Sequence, residues 1–281
     1  VWLTVAGVLT KGTAGFPNSD HIPLAVVLTG SASAATTPGS FAVLDISDHR
    51  GRAIFSPASP SPARSPFRLV QDFHQGASTP MPQPWSKNVH LSGTGDFMAD
   101  EPAGVYQLAL ENTSEIQGAQ LNWSNQRMID TDNNPIAEFL IRVDGIADLT
   151  SVEAIYIGLV ADHTNAEDSM DNIDHSVWFK LKGAADLNVY MAADDGSTDT
   201  PDTDTLIDLV DDTWTAFRID MSDLTAVVMS VDGVAAGATL DMTDSAGQVL
   251  QPIICLQRTA DTEAEVGFQV EIDIIDIDVD R

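Results

Sequence analysis

One cysteine, Cys255, is all that the 281 residues contain. A single thiol excludes an intrachain disulfide framework and any zinc site built on cysteine. Basic residues are scarce as well: 13 Lys and Arg stand against 42 Asp and Glu, a formal charge of −29. Nucleic acids and anionic membranes are held by positive surface, so neither is expected as a partner. No apolar run approaches the roughly 18 residues that a membrane-spanning helix needs. The apolar start, Val1 to Leu9, is short and has no basic residue before Lys11, which argues against a secretory signal. Aromatics make up only 6% of the chain, few for a long sugar-stacking cleft. No Gly-x-Ser-x-Gly elbow and no phosphate-binding Gly-Lys-Ser/Thr loop occurs. None of the six histidines pairs with another at the i, i+4 spacing of zinc proteases; His163 and His175 flank one acidic loop and are the nearest to a metal pair. Cofactors are therefore not expected, calcium excepted.

Hydrophobic residues reach 43%, enough for a sizeable core. Charge is uneven. Residues 1–70 hold five basic and three acidic residues, a net of +2, and the remainder holds eight and 39, a net of −31. Such asymmetry points to two regions with different partners. Between them, residues 56–66 contain Pro57, Pro60, Pro62 and Pro66, which favour extended polyproline II and bar a central strand. The reading is a β-rich region at 1–55, a spacer at 56–68 and a larger domain at 69–281.

In the first region, 22–28 and 41–46 are β-rich runs separated by small turn residues. So small a region needs a neighbour to fold against. From residue 69 onward, period two dominates. Phe139, Ile141 and Val143 alternate with Leu140, Arg142 and Asp144. Val177, Phe179 and Leu181 alternate with Trp178, Lys180 and Lys182. Phe217, Ile219 and Met221 form a third set, and Val227, Met229 and Val231 a fourth. This period places one set in a core and the other toward solvent. The doubled Ile274-Ile275 interrupts a fifth alternation and predicts a β-bulge. With no helical period between the strands, the fold class is all-β, a β-sandwich or jelly roll.

Residues 177–234, with the late pair Trp214–Met221 and Val228-Met229-Ser230-Val231-Asp232-Gly233, resemble the laminin-G or concanavalin-like jelly roll. A second stretch, Ile22-Pro23-Leu24-Ala25 followed by Ile46-Ser47-Asp48-His49-Arg50, is similar to a short module of tailed-phage virion proteins. That resemblance implies a capsid decoration or head-fibre protein located in the virion, at the capsid surface. Its partners would be the major capsid protein, other virion proteins and itself, as a homotrimer. Ile22, Pro23, Leu24, Ala25, Asp48 and Arg50 would dock or oligomerise the chain, and the acidic jelly roll would face outward.

Three further candidates follow. Glu271-Ile272-Asp273-Ile274-Ile275-Asp276 resembles the Glu-x-Asp-x-x-Glu strand of laminarinase- and lichenase-type glucanases. The resemblance implies Glu271 as nucleophile, Asp273 as helper and Asp276 as general acid. Asp276 is one methylene shorter than that pattern's Glu, and the expectation is no catalysis. Trp178, set among residues expected to face solvent, is the candidate for stacking host-surface glycans in a lectin-like alternative. Asp130, Asp132, Asp168 and Asp171 lie in acid-rich loops and are candidate calcium ligands, though none has the EF-hand spacing.

Overall fold

In the computed structural model the chain divides into two compact units, Val1–Pro62 and Ala63–Arg281. The structure describes residues 67–73, 81–98, 104–111, 113, 115–146, 152–163, 166, 170–182, 186–259 and 269–279, and before these the backbone of five strands.

The first unit contains β1 (Trp2–Thr4), β2 (Leu9–Thr10), β3 (His21–Pro23), β4 (Ala25–Thr29) and β5 (Val43–Asp48). The first three form an antiparallel sheet in the order β2-β1-β3, and β4 pairs antiparallel with β5. The Pro-rich stretch 56–66 lies outside the described residues.

The second unit is all β. Its strands are β6 (Phe67–Asp72), β7 (Ser86–His90), β8 (Thr94–Phe97), β9 (Tyr106–Ala109), β10 (Gln117–Asn122), β11 (Ile129–Asp130), β12 (Ile136–Asp144), β13 (Glu153–Val160), β14 (Ser176–Lys182), β15 (Asn188–Asp194), β16 (Asp199–Asp208), β17 (Trp214–Asp220), β18 (Val228–Val231), β19 (Val234–Ala235), β20 (Val249–Arg258) and β21 (Gln269–Val279). β6 opens at Phe67, directly after the last proline of the run, where pairing is no longer barred. The first sheet runs β16-β15-β14-β13-β20-β10-β7, with β11 added on β20. The second runs β19-β18-β17-β12-β21-β9-β8, with β6 added on β21. Neighbouring strands are antiparallel throughout, and among the described residues helical structure is limited to three-residue 3-10 turns.

The four alternating sets are core residues. Phe139, Ile141, Val143, Val177, Phe179, Leu181, Phe217, Ile219, Met221, Val227, Met229 and Val231 all lie in one buried cluster between the sheets. Burying a large apolar side chain contributes about 1.5–3 kcal/mol, so these rows fix which face of each strand turns inward. β12 keeps its other face partly wet, with Glu138 and Asp144 exposed. β14 does not: six of its seven residues are buried. A second cluster on the far face of the first sheet joins Tyr156, Val160, Trp178, Ala192, Ile253 and Cys255 to Met170 and Ile173 of the β13–β14 connection. Trp178 and Lys180 are therefore buried where the alternation predicts solvent.

The bulge falls one residue earlier than the doubled isoleucine suggests. Leu140 pairs with Ile274 and Ile141 with Ile272, leaving Asp273 as the extra residue of β21. The insertion resets the alternation, so Ile272 and Ile275 both point into the core.

Candidate functional site

Two outward faces carry the polar chemistry of the second unit. On the second sheet, register places Glu271 opposite Arg142 and Asp276 opposite Glu138. Two acids of the glucanase-like strand, Glu271 and Asp276, each meet a guanidinium. Arg142 pairs with Glu271 while lying 5.1 Å over the Trp214 ring. Arg68, brought alongside by β6, donates from Nε to Asp276 Oδ1 at 3.0 Å. Arg218 pairs with Glu138 and, at 3.0 Å, with Asp220. Glu271 and Asp276 therefore do share a face, as the motif requires, but arginines hold both, and Asp273 is displaced into the bulge.

On the first sheet, β13, β14 and β15 bring aromatic rings and lysines together. Tyr156 and Trp178 meet edge to face, ring centroids 5.5 Å apart. Lys180 Nζ stands 5.2 Å over the Tyr156 ring, and Lys182 Nζ stands 3.9 Å over Tyr190. Both lysines converge on Asp202 of the edge strand, at 3.3 and 2.8 Å, and Lys180 also donates to Asp171 Oδ1 at 2.8 Å. Burial, with the charge of Asp171 next, pushes the Tyr156 phenol up, so it stays a neutral donor. The Tyr190 hydroxyl donates to Asp186 at 2.6 Å, which raises Tyr190 and lowers Asp186. A cavity of about 200 Å³ opens here between Trp178, Lys180, Asp171 and the β15–β16 hairpin, and a second of about 290 Å³ lies beside Tyr156 and Lys182.

Trp178 itself is only 4% exposed. The expected exposed stacking platform is thus corrected to a buried cavity wall, packed in one cluster with Ile173 and Met170. The residues that sequence reasoning missed are Tyr156, Lys180, Lys182, Tyr190 and Asp202. A signal for two of them was present: Lys180 and Lys182 continue the row of Trp178 on β14 at period two.

The proposed calcium ligands are engaged with the chain. Asp130 caps a 3-10 turn through the Asp132 N–H at 3.0 Å, and Asp132 accepts from the Gly247 N–H at 2.8 Å. Asp171 is the partner of Lys180, and Asp168 lies outside the described residues. Among the described residues no group of three or more His, Cys, Asp or Glu side chains could hold a metal. His163 and His175 do line one cleft, of about 540 Å³, with Arg127, Asp162 and Asp174. His175 holds Ser245 Oγ at 3.0 Å through Nδ1. Cys255 is a buried small hydrophobe, and burial pushes its thiol up. Of the docking residues, Ile22 and Pro23 lie on β3, and Ala25 of β4 pairs with Asp48 of β5. Leu24 and Arg50 lie outside the described residues.

Asp195, 4% exposed, organises the hairpin beside the first cavity. Its Oδ1 accepts from the N–H groups of Ser197 (3.0 Å) and Thr198 (2.6 Å). Burial alone would raise this carboxyl, but those bonds, the Asp244 N–H and the nearby His175 charge outweigh it and hold it below the ordinary carboxylate value. A lowered folded pKa contributes stability that is complete above the unfolded value of about 3.9 and is lost as pH falls through the folded one. The stability gap between the wild type and Asp195→Asn will be constant above pH of about 4 and will narrow below it. Thermal melts across pH 2–7 measure this, and a gap independent of pH would remove the assignment.

No protein-family model matches the sequence, and no curated protein matches it. Solved structures do resemble it. An endo-glucanase of glycoside hydrolase family 16 from Bacteroides ovatus superposes with a TM-score of 0.56 at 13% identity, covering 74% of this chain and 99% of that one. The carbohydrate recognition domain of Emp47p gives 0.51 at 13% identity, over 79% and 100%. A protein of unknown function from Shewanella oneidensis MR-1 gives 0.52 at 13% identity, over 81% and 95%. At such identities the likeness carries the fold alone: two antiparallel sheets in a concanavalin-like jelly roll.

Proposed function

We propose that the unit Ala63–Arg281 is a non-catalytic glycan-binding module, and that residues 1–55 dock it as a homotrimer on the shell of a virus particle, against the major capsid protein. The observation that carries the binding role is the grouping of Tyr156, Trp178, Lys180 and Lys182 around two cavities on one sheet face, with Tyr190 beneath Lys182. Sugar sites combine aromatic walls with a few fixed polar groups. The fold is that of known sugar-acting and sugar-recognising domains, which supports the same reading. Display on a particle rests on the phage-like motif, whose two halves are hydrogen-bonded neighbours, with Ala25 opposite Asp48. The strongly acidic outer unit would keep such particles dispersed.

Hydrolysis is left out of the proposal because guanidinium groups occupy the oxygens of Glu271 and Asp276 that a glycosidic bond would have to reach. Reducing-sugar release from mixed-linkage β-glucan will be nil for the wild type and for Glu271→Gln alike; turnover by the wild type that Glu271→Gln abolishes would reverse this. The binding role is tested by printing the full chain on a glycan array, where an empty array ends it. The location is tested by quantitative mass spectrometry of gradient-purified particles: a fixed ratio to the major shell protein is expected, and absence from particles ends the virion reading.

A further inference from the structure

The geometry points to a second binding site, the cleft of about 540 Å³ at one end of the first sheet. Its ligand is a dipolar small molecule: a basic amino acid whose carboxylate goes to Arg127 and whose ammonium groups go to Asp162 and Asp174. The cleft shares only Ile173 with the 200 Å³ cavity beside Trp178, so it does not depend on glycan binding there. Strand order builds it. β14, β13, β20 and β10 are antiparallel neighbours, so the start of β14, the end of β13, the start of β20 and the end of β10 meet at one end of the sheet. Asp174 precedes β14, Asp162 follows β13, Gln248 precedes β20, and Arg127 lies between β10 and β11.

Two buried amides hold these loops in place. Gln251 is 0% exposed. Its Oε1 accepts from the N–H groups of Trp123 (3.2 Å) and Asn125 (3.0 Å), and its Nε2 donates to Asn125 Oδ1 (2.8 Å) and to the His163 carbonyl (3.1 Å). Asn122 Nδ2 donates to the same carbonyl at 3.3 Å. The loop that carries Arg127 is thereby tied to the loop that carries Asp162. On the other wall the Ala161 N–H donates to the His175 carbonyl at 3.0 Å, and the His175 ring holds Ser245. A satisfied buried network is rigid, and rigid walls lower the ordering cost of binding.

The charges decide the ligand. Every other described lysine and arginine is in an ion pair. The Arg127 guanidinium makes no ion pair or hydrogen bond among the described residues, in a chain of formal charge −29. Asp162 and Asp174 line the same cleft without pairing with it. Opposite charges held apart across one cleft are complementary to a ligand that carries both. A guanidinium takes a carboxylate through two parallel bonds. One arginine and two aspartates, with histidine neutral, leave the cleft at +1 − 2 = −1. A ligand with one carboxylate and two ammonium groups, net +1, balances that. A simple anion would meet both aspartates, and a simple diamine would leave the guanidinium facing a cation. The side-chain amides of Asn172 and Gln248, unbonded among the described residues, supply further donors and acceptors. The volume lies within the roughly 300–1,000 Å³ of small-molecule sites.

The test is isothermal titration of the full chain with L-lysine, with 1,5-diaminopentane, which is lysine without its carboxylate, and with cellobiose as a neutral polyol. So acidic a chain attracts any cation, and unspecific attraction favours the doubly charged diamine. The site predicts the reverse order, L-lysine binding at least about tenfold more tightly than the diamine. Arg127→Gln is expected to abolish that preference. Arg127 is exposed and bonds nothing else, so the variant keeps its fold and binds the diamine at least as well as the wild type does. Asp174→Asn is expected to weaken both amines. No heat with L-lysine, a diamine that binds as tightly, cellobiose binding more tightly than L-lysine, or a lysine preference that survives Arg127→Gln would each overturn the assignment.

Discussion

Arg258→Met will cost about 3–5 kcal/mol of stability. Arg258 is 1% exposed and Glu153 2%. They lie side by side because β20 runs between β10 and β13, with Arg258 in register with Gln117 on one side and Glu153 on the other. Arg258 Nε donates to Glu153 Oε1 at 2.7 Å, and Nη1 donates to the carbonyl oxygens of Thr113 (2.6 Å) and Glu111 (3.3 Å). Gln117 Nε2 donates to the same two carbonyls, at 3.2 and 2.9 Å. One guanidinium thus ties three central strands to the turn before β10. Removing it leaves a carboxylate in a low-dielectric interior and strips donors from two carbonyls, and an unpaired buried charge is far costlier than the pair is favourable. The double variant Glu153→Leu/Arg258→Met should recover much of the loss, because apolar replacement of both partners is often neutral. Urea melts measure this as a shift in midpoint at constant slope. A loss below about 1 kcal/mol, the size of an exposed pair, would show that water reaches the site.

The two sheets were not equally legible. β12 and β17 of the second sheet have one wet face, so Phe139, Ile141, Phe217 and Ile219 stand out against Glu138, Arg142 and Arg218 at period two. β13 and β14 are buried on both faces, and a strand covered twice loses its alternation. Whether Trp178 faces water depends on where Met170 and Ile173 pack, which no local pattern encodes. The same limit hid the state of the acids. The glucanase-like strand is visible as a string of letters, but Arg142 lies 129 residues from Glu271 and Arg68 lies 208 from Asp276. Their pairing follows from strand order, and strand order is a long-range result. The bulge was half legible: doubled isoleucines announce a reset of the alternation, but either neighbour of Ile274 can absorb it, and the charged Asp273 does so because it cannot be turned into the core.

Gly158→Ala tests the close approach that shapes the cavity wall beside Trp178. Gly158 sits in β13, in register with Trp178 of β14 and Ile253 of β20. A Cβ there would fall inside contact distance of the Val177 carbonyl oxygen, 2.6 Å from Trp178 Cα and 2.7 Å from Trp178 Cβ. Two of these are backbone atoms, which cannot swing aside as a side-chain tip would. The neighbouring strand must move as a whole, and over-packing of this kind costs about 1–3 kcal/mol. Gly233 provides the contrast: it has φ of +76° and nothing within 4 Å of an added Cβ, so alanine there meets backbone strain alone. Any shift of β14 carries Trp178 away from Tyr156, its edge-to-face partner. Gly158→Ala should therefore lower the urea midpoint and weaken the near-ultraviolet circular dichroism of that pair together. Alanine tolerated at 158 with both signals unchanged would mean that β13 and β14 stand further apart than the contacts at Gly158 require.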